Sequence, residues 1–383
     1  MNRKKILIFS TAYFPFVGGA EIAIKEITDR LPENEYHLIT NKFDAQWPEQ
    51  EKIGQVYIYR LGQGKKIDKY LFPFRAVAYA VKLHRRIKFD FAWSMMAFYA
   101  GLAALFLKYR IKVSYLLTLQ SGDSDEFLRK RTWFWSFLYK RIYRRAKITQ
   151  AISKFLAKRS RKEGNKGEIV LIPNGVDFNV FKNTLSVEEK EEMKSELGIS
   201  PDQTVLITTS RLALKNGLDD LIKSMNFLLF KSGIKAKLII LGTGPDEEEL
   251  KNLAKKLGIA DHVLFLGYME HSQLPKYVEM SDIFIRPSLS EGLGNSFLEA
   301  MVLGTPIIGT EVGGIPDFLK DGETGVFCKV RNPVSIGQAV ERYVRDKDLY
   351  QRIADNGRQL VLEKYSWDSV AAKMKIIFQN MKR

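Results

Sequence analysis

Glu291 and Glu299 stand eight residues apart within the run PSLSEGLGNSFLEAMVLGTPIIGTEVGG, which spans 287–314. Two carboxylates at that spacing can each accept hydrogen bonds from hydroxyl groups of one ligand. Between them lies a glycine-rich turn, Gly292-Leu293-Gly294-Asn295, and then the start of an apolar helix. Glycines let backbone N–H groups approach a ligand closely. A helix N-terminus favours phosphate oxygens. One carboxylate precedes the turn and the other falls on the first turns of the helix. Phosphate, polyol and two carboxylates together point to a nucleotide sugar as the ligand.

Other candidates lie at strand ends. Gly18-Gly19 follows a first apolar strand and opens a helix, so its amides could approach a diphosphate. The competing reading is an ordinary strand-to-helix turn. The pattern is not the Gly-x-Gly-x-x-Gly of dinucleotide sites, which weighs against a dehydrogenase. Arg211 and Lys215 follow a predicted strand over 204–209, where two cations could neutralise a diphosphate as charge builds on it. A solvated surface charge is the alternative for each. His37, His84, His262 and His271 show no metal-ligand spacing. Asp-x-Asp occurs at 123–125 and 346–348, a pattern short enough to arise by chance. No metal site is expected.

Five segments, in order along nearly the whole chain, resemble the retaining GT-B glycosyltransferases of family four. They are FSTAYFPFVGGAEIAIKEI (9–27), LIPNGVDFNVF (171–181), SRLALKNGLDDLIKSM (210–225), LIILGTGPDEEEL with HVLFLGYMEHSQLPKYVEMSDIFIRPS (238–250, 262–288), and the Glu-x7-Glu run. Each alone is weak; the ordered set is specific. The resemblance implies two Rossmann-like α/β domains facing across a cleft. It places an acceptor-binding domain at 1–182 and a donor-binding domain at 183–365. The last helix, within 366–383, crosses back to the first domain. It gives Glu291 the donor sugar's hydroxyls, aided by the amides of Gly292, Leu293, Gly294 and Asn295. Glu299 takes the ribose hydroxyls. Arg211 and Lys215 take the pyrophosphate, and Tyr268 or Met269, after Gly267, flanks the base.

Two departures stand out. The family's spacing is Arg-x4-Lys-Gly, but here Asn216 precedes Gly217 and Lys215 stands one place earlier. Lys215 therefore inherits the role only if its loop bends. Many members carry a histidine after the strand matching 113–119, where this chain has Gln120. Gln120 can donate to a sugar hydroxyl but cannot titrate. Asp123 could orient or deprotonate an acceptor hydroxyl, or simply cap a loop. No cofactor beyond the nucleotide-sugar cosubstrate is expected. A nucleotide-sugar 2-epimerase on the same fold, or a non-catalytic module that binds anionic surfaces, would be the alternatives. The first needs acid/base residues that the histidine-poor N-terminal half scarcely offers. The intact Glu-x7-Glu set argues against the second.

The elements that must carry these residues alternate strand and helix in both halves, as parallel α/β layers require. Strands are predicted at 5–10, 36–40, 56–60, 89–94 and 113–119. In the second half they fall at 204–209, 236–241, 263–266, 282–286 and 306–310. In PDEEELKNLAKKLG (245–258), Pro245 suits a first helical turn and Gly258 a C-terminus. At 383 residues, two domains are the prior. Apolar content of 45% with 27% charged residues is that of a soluble globular chain. One cysteine, Cys328, excludes a disulfide framework and suggests a reducing compartment. No signal peptide is expected. The uncharged stretch 91–107 reads as a strand and a buried helix rather than a membrane span.

The net charge of +16 is carried by one half. Residues 1–180 hold 33 Lys and Arg against 16 Asp and Glu. Such asymmetry predicts an anionic partner for that half. The stretch 127–162 mixes Trp133, Phe134, Trp135, Phe137, Tyr139 and Tyr143 with many cations, and 65–88 carries a second such mixture. Basic helices with aromatics can lie in an anionic membrane interface. The alternative is a domain helix with its aromatics packed inward. No nucleic-acid module is recognisable. The expectation is hexosyl transfer to a lipid-linked or polysaccharide acceptor by a cytoplasmic protein peripheral to the membrane.

Overall fold

The computed structural model describes residues 3–16 and 18–381. The chain divides into two compact units, Met1–Gly175 with Trp367–Arg383, and Val176–Ser366.

The first unit is built on eight strands: β1 (Lys5–Phe9), β2 (Glu35–Asn41), β3 (Gln50–Ile53), β4 (Val56–Leu61), β5 (Phe91–Met95), β6 (Tyr115–Leu119), β7 (Ile148–Ala151) and β8 (Glu168–Leu171). Their order across the sheet is β3-β4-β2-β1-β5-β6-β7-β8. All neighbours are parallel except β3 and β4. The central strands are covered on both faces, so they read as continuous apolar runs rather than alternating ones. Ile6 to Phe9 are fully buried, as are Tyr115 to Leu117. Helices Gly19–Arg30, Asp68–Ile87 and Tyr99–Ile111 connect the strands. Asp68 fixes the start of its helix by accepting from the N–H groups of Gln63 (2.7 Å) and Lys65 (2.9 Å). The last helix, Trp367–Asn380, belongs to this unit. Its Phe378 ring lies 5.6 Å from Phe91 and 5.4 Å from Trp93, and its Asp368 accepts from Arg30 Nε at 2.7 Å.

The second unit holds β9 (Thr204–Thr209), β10 (Ala236–Leu241), β11 (Val263–Gly267), β12 (Ile283–Arg286), β13 (Ile307–Thr310) and β14 (Val326–Cys328). They form a parallel sheet in the order β11-β10-β9-β12-β13-β14. Ser186 and Glu189 make a reciprocal capping box at the first helix of this unit. The helix after β10 spans Glu247–Lys256, so Pro245 lies in the preceding turn rather than in the first helical turn. That turn is held from outside. Asp246 N–H donates to the Leu212 carbonyl at 3.2 Å, and Gly244 packs against the same group.

The aromatic, basic stretch is not one helix. It forms helices Asp125–Thr132, Ser136–Arg145 and Lys154–Lys162, a short 3-10 turn at Trp133–Trp135, and strand β7. Its aromatics divide. Tyr139 and Tyr143 are buried, whereas Trp133 is 79% exposed, Phe134 88% and Phe137 62%. Among the described residues no helix is long and apolar enough to cross a membrane.

Candidate active site

Both sheets have a point where the chain reverses its direction of travel across the sheet. In the first unit this lies between β1 and β5, and in the second between β9 and β12. In open parallel sheets the loops at the carboxyl ends of such strands splay apart and leave a ligand crevice.

In the second unit, the loop after β9 carries Arg211 and Lys215, and the loop after β12 carries Glu291. The first loop bends through a 3-10 turn, Leu214–Asn216, into Gly217 with φ +68°. A side chain at Gly217 would sit 2.1 Å from the Pro287 carbonyl oxygen. The Asn216 amide donates to the Arg211 carbonyl at 2.6 Å and sets the bend. The two loops are then tied directly, because Leu289 N–H donates to the Lys215 carbonyl at 2.7 Å. Arg211 and Lys215 are both exposed. The loop after β13 packs from the other side. A Cβ on Gly313 would lie 1.8 Å from the Glu291 carbonyl oxygen. Thr310 Oγ1 donates to the Ser288 carbonyl at 2.5 Å.

Glu291 is half-buried, with both carboxylate oxygens engaged. Oε1 accepts from Gly292 N–H at 2.8 Å, and Oε2 meets Arg286 at 2.6 Å. Leu293 is buried, and Gly294, at φ +103°, leads into the helix Asn295–Val302. Glu299 lies on that helix, and its Oε1 is 3.1 Å from His271 Nε2. The His271 ring packs edge-on against Phe181 at 5.0 Å. Gly267 ends β11 at φ +74°, and Tyr268 beyond it is 70% exposed. All these groups except His271, Phe181 and Arg286 are legible as candidates in the sequence. A cation closing an otherwise apolar strand, DIFIR, was the available signal for Arg286.

In the first unit, Gln120 follows β6 and forms a reciprocal amide pair with Asn174, at 3.1 and 3.0 Å. Asp123 accepts from Ser121 Oγ at 2.7 Å, and its carbonyl accepts from Arg159 at 2.7 Å. Gln120 and Asp123 line one pocket of about 240 Å³ with Phe98, Tyr99, Arg131 and Arg159. Asn174 was not singled out from sequence, although it lies in the quoted PNGVD segment.

Gly18 is the cap of its helix and Gly19 the first helical residue. Glu21 turns back so that its carboxylate lies beside Gly18. A side chain on Gly18 would lie 2.8 Å from that carboxylate. Gly18 thus has a structural reason to be glycine beside any ligand role. Burial pushes the Glu21 carboxyl up to about 7. A carboxyl whose folded pKa is raised contributes stability that is complete below its ordinary value and is lost as pH rises through the folded one. Thermal midpoints should therefore fall between pH 5 and pH 8, and Glu21→Gln should flatten that fall. Parallel slopes for the two proteins would exclude Glu21 as the titrating group.

Among the described residues, no group of three or more His, Cys, Asp or Glu is placed to hold a metal ion. Cys328 is buried, and burial pushes its thiol up to about 12, so it is not poised as a nucleophile.

Residues 17–180 match the model described as Glycosyltransferase Family 4, and residues 189–360 the model described as Glycosyl transferases group 1. The chain is a family-four glycosyltransferase. It is 26% identical to N-acetyl-alpha-D-glucosaminyl L-malate synthase of Bacillus anthracis, over 99% of this chain and 98% of that protein. It is 25% identical to alpha-monoglucosyldiacylglycerol synthase of Acholeplasma laidlawii, over 84% of each. Among solved structures, Anabaena HepE in complex with UDP and glucose superposes with a TM-score of 0.82 at 18% identity, covering 99% of this chain and 100% of that one. The enzyme has the GT-B fold.

Proposed function

We propose that the enzyme transfers a hexose, with retention, from a nucleoside diphosphate sugar bound by the second unit to a lipid-linked or glycan acceptor bound by the first. One observation carries the donor assignment. The loop with Arg211 and Lys215 is hydrogen-bonded to the loop with Glu291, at the reversal point of the sheet. Exposed cations, a carboxylate and the N-terminus of the helix Asn295–Val302 thereby share one end of one sheet. The UDP and glucose held by HepE are in keeping with that chemistry.

In this reading the bond from the sugar's C1 to the diphosphate oxygen breaks as the bond to the acceptor oxygen forms on the same face. The acceptor's proton goes to the departing phosphate oxygen, so no separate acid/base pair is required. Arg211 and Lys215 stabilise the charge that grows on the diphosphate. Glu291 and Glu299 fix the sugar and ribose by their hydroxyls. Gln120, locked against Asn174, and Asp123 position the acceptor.

The relatives' names differ in acceptor, a malate in one and a glycerolipid in the other. The first unit therefore bears on the acceptor class. Its pocket is walled by Phe98 and Tyr99 and edged by Arg131, whose guanidinium lies 4.0 Å from the Phe98 ring centroid. Phe98 in turn contacts Trp135 at 4.9 Å, next to the exposed Trp133 and Phe134. Aromatics at a basic surface can enter an anionic membrane interface, and the pocket adjoins them. This supports an amphipathic, anionic acceptor met by a peripheral enzyme at the cytoplasmic membrane face.

Transfer to acceptor lipid extracts should proceed in excess chelator, because protein cations rather than a metal meet the diphosphate. The product's anomeric coupling by NMR should match that of the donor. An inverted anomer would exclude the same-face mechanism. A strict requirement for divalent metal would exclude the metal-independent site.

A further inference from the structure

We propose that Arg286 is a positioning residue for recognition of the donor sugar, holding the Glu291 carboxylate in the orientation that grips the sugar's hydroxyls. The proposal rests on the reading of Glu291 given above and adds the group that aims it.

Arg286 is the last residue of β12 and is 7% exposed. Its neighbours along the strand, Ile283, Phe284 and Ile285, are buried and apolar. The guanidinium reaches under the glycine-rich turn. One terminal nitrogen donates to Ser296 Oγ at 2.8 Å and the other to Glu291 Oε2 at 2.6 Å. The group also lies 4.9 Å from the Phe297 ring centroid. A Cβ at Gly294 would come within 3.3 Å of the same guanidinium, so the turn closes directly over it.

This arrangement is costly. The Nε of Arg286 is buried without a hydrogen-bond partner, and a buried donor left unsatisfied is destabilising. The cation also sits beside the N-terminus of the helix Asn295–Val302, the end whose dipole disfavours positive charge. A well-packed apolar side chain is often at least as stable in such a place as a buried ion pair. Stability of the sheet therefore does not account for Arg286, whereas its effect on Glu291 does.

Glu291 is held at both oxygens, by Gly292 N–H and by Arg286. A carboxylate oxygen has two lone pairs. Each oxygen so fixed keeps acceptor capacity in a set direction for a hydroxyl. Without the guanidinium only the Gly292 N–H restrains the side chain, and sugar binding must then overcome the added rotational entropy. Because the fork bonds Ser296 and Glu291 at once, lysine cannot replace it fully.

The test separates sugar recognition from nucleotide recognition. For wild type, calorimetry with UDP, UDP-glucose, UDP-N-acetylglucosamine, GDP and GDP-mannose identifies the tightest nucleotide sugar. Its affinity divided by that of its own nucleoside diphosphate is the sugar increment. Arg286→Gln should reduce the increment about tenfold or more, leave nucleoside diphosphate affinity within about twofold, and keep a cooperative thermal transition. Arg286→Lys should fall between the two. A collapsed loop would weaken nucleotide and nucleotide sugar together, and that outcome overturns the proposal. So does an unchanged increment. If Arg286→Gln does not fold, Arg286→Lys decides: at least a threefold loss of increment upholds the proposal and no loss rejects it. Glu291→Gln isolates the underlying assumption. An increment that survives Glu291→Gln refutes the sugar role of Glu291 itself. One that is lost there but survives in the Arg286 variants refutes only the positioning role.

Discussion

Replacing Arg211 by alanine is expected to lower turnover about 10²-fold or more, with a smaller effect on donor affinity. Removing one preorganised donor to developing charge typically costs that much. The side chain leaves the carboxyl end of β9, at the reversal point of the sheet, and is exposed toward solvent. In the proposed mechanism its positive charge faces a diphosphate that becomes more negative as the glycosidic bond breaks, so the interaction would strengthen in the transition state. Lys215→Ala should show a milder form of the same loss, since its ammonium is a point charge rather than a fork. The loop that carries Lys215 bends through the 3-10 turn that ends at Gly217, and the Lys215→Ala kinetics test whether that bend delivers the ammonium to the diphosphate. Steady-state kinetics with saturating donor measures the effect. Wild-type turnover in Arg211→Ala would take the pyrophosphate role away from this loop.

The second large effect is at the membrane. Replacing Arg141, Arg144 and Arg145 by glutamate should reduce sedimentation with anionic vesicles by at least about 10²-fold, since each cation near such a surface contributes about 1 kcal/mol. All three are exposed. Salt should weaken wild-type binding, because attraction between exposed charges is screened over about 8 Å at physiological ionic strength. A salt-resistant remainder should persist and should disappear when Trp133, Phe134 and Phe137 are replaced by serine, as those rings stand in solvent. Nucleotide-sugar affinity should be unchanged in both variants, because the proposed donor groups lie on the other unit. Equal binding to neutral and anionic vesicles would contradict the electrostatic part.

The sheet order of neither unit follows from the residues alone, yet most strands were legible. β9 and β10 fall at the predicted 204–209 and 236–241, because buried parallel strands are continuous apolar runs bounded by turns. The strand β3, Gln-Glu-Lys-Ile, was not legible. It is a polar edge strand whose existence depends on pairing with β4 rather than on its own pattern. β7 was hidden for a different reason. Its four residues lie between two strongly basic helices whose composition dominates any sequence window. The candidate site follows the same division. Glu291, Glu299 and Arg211 announce themselves through residue type, spacing and glycine-rich context. His271 and Asn174 gain meaning only from partners that are distant along the chain, and Arg286, a cation closing an apolar strand, only from the fold of the turn that brings Glu291 and Ser296 to it. Asn174 meets Gln120 across 54 positions, and no local pattern reports such a contact.

In the proposed function the tied loops of the second unit bind a nucleoside diphosphate sugar. The most direct measurement is thermal unfolding of the whole protein against a panel of nucleotide sugars, since only a ligand that binds the folded state raises the midpoint. At least one nucleoside diphosphate sugar should raise it in wild type. Glu299→Ala should lose most of that rise while keeping a cooperative transition without ligand, its midpoint lowered at most by the loss of the His271 contact, as expected for loss of a charged hydrogen bond to the ligand of about 1–3 kcal/mol. No shift with any member of the panel, or a full shift in Glu299→Ala, would contradict the account.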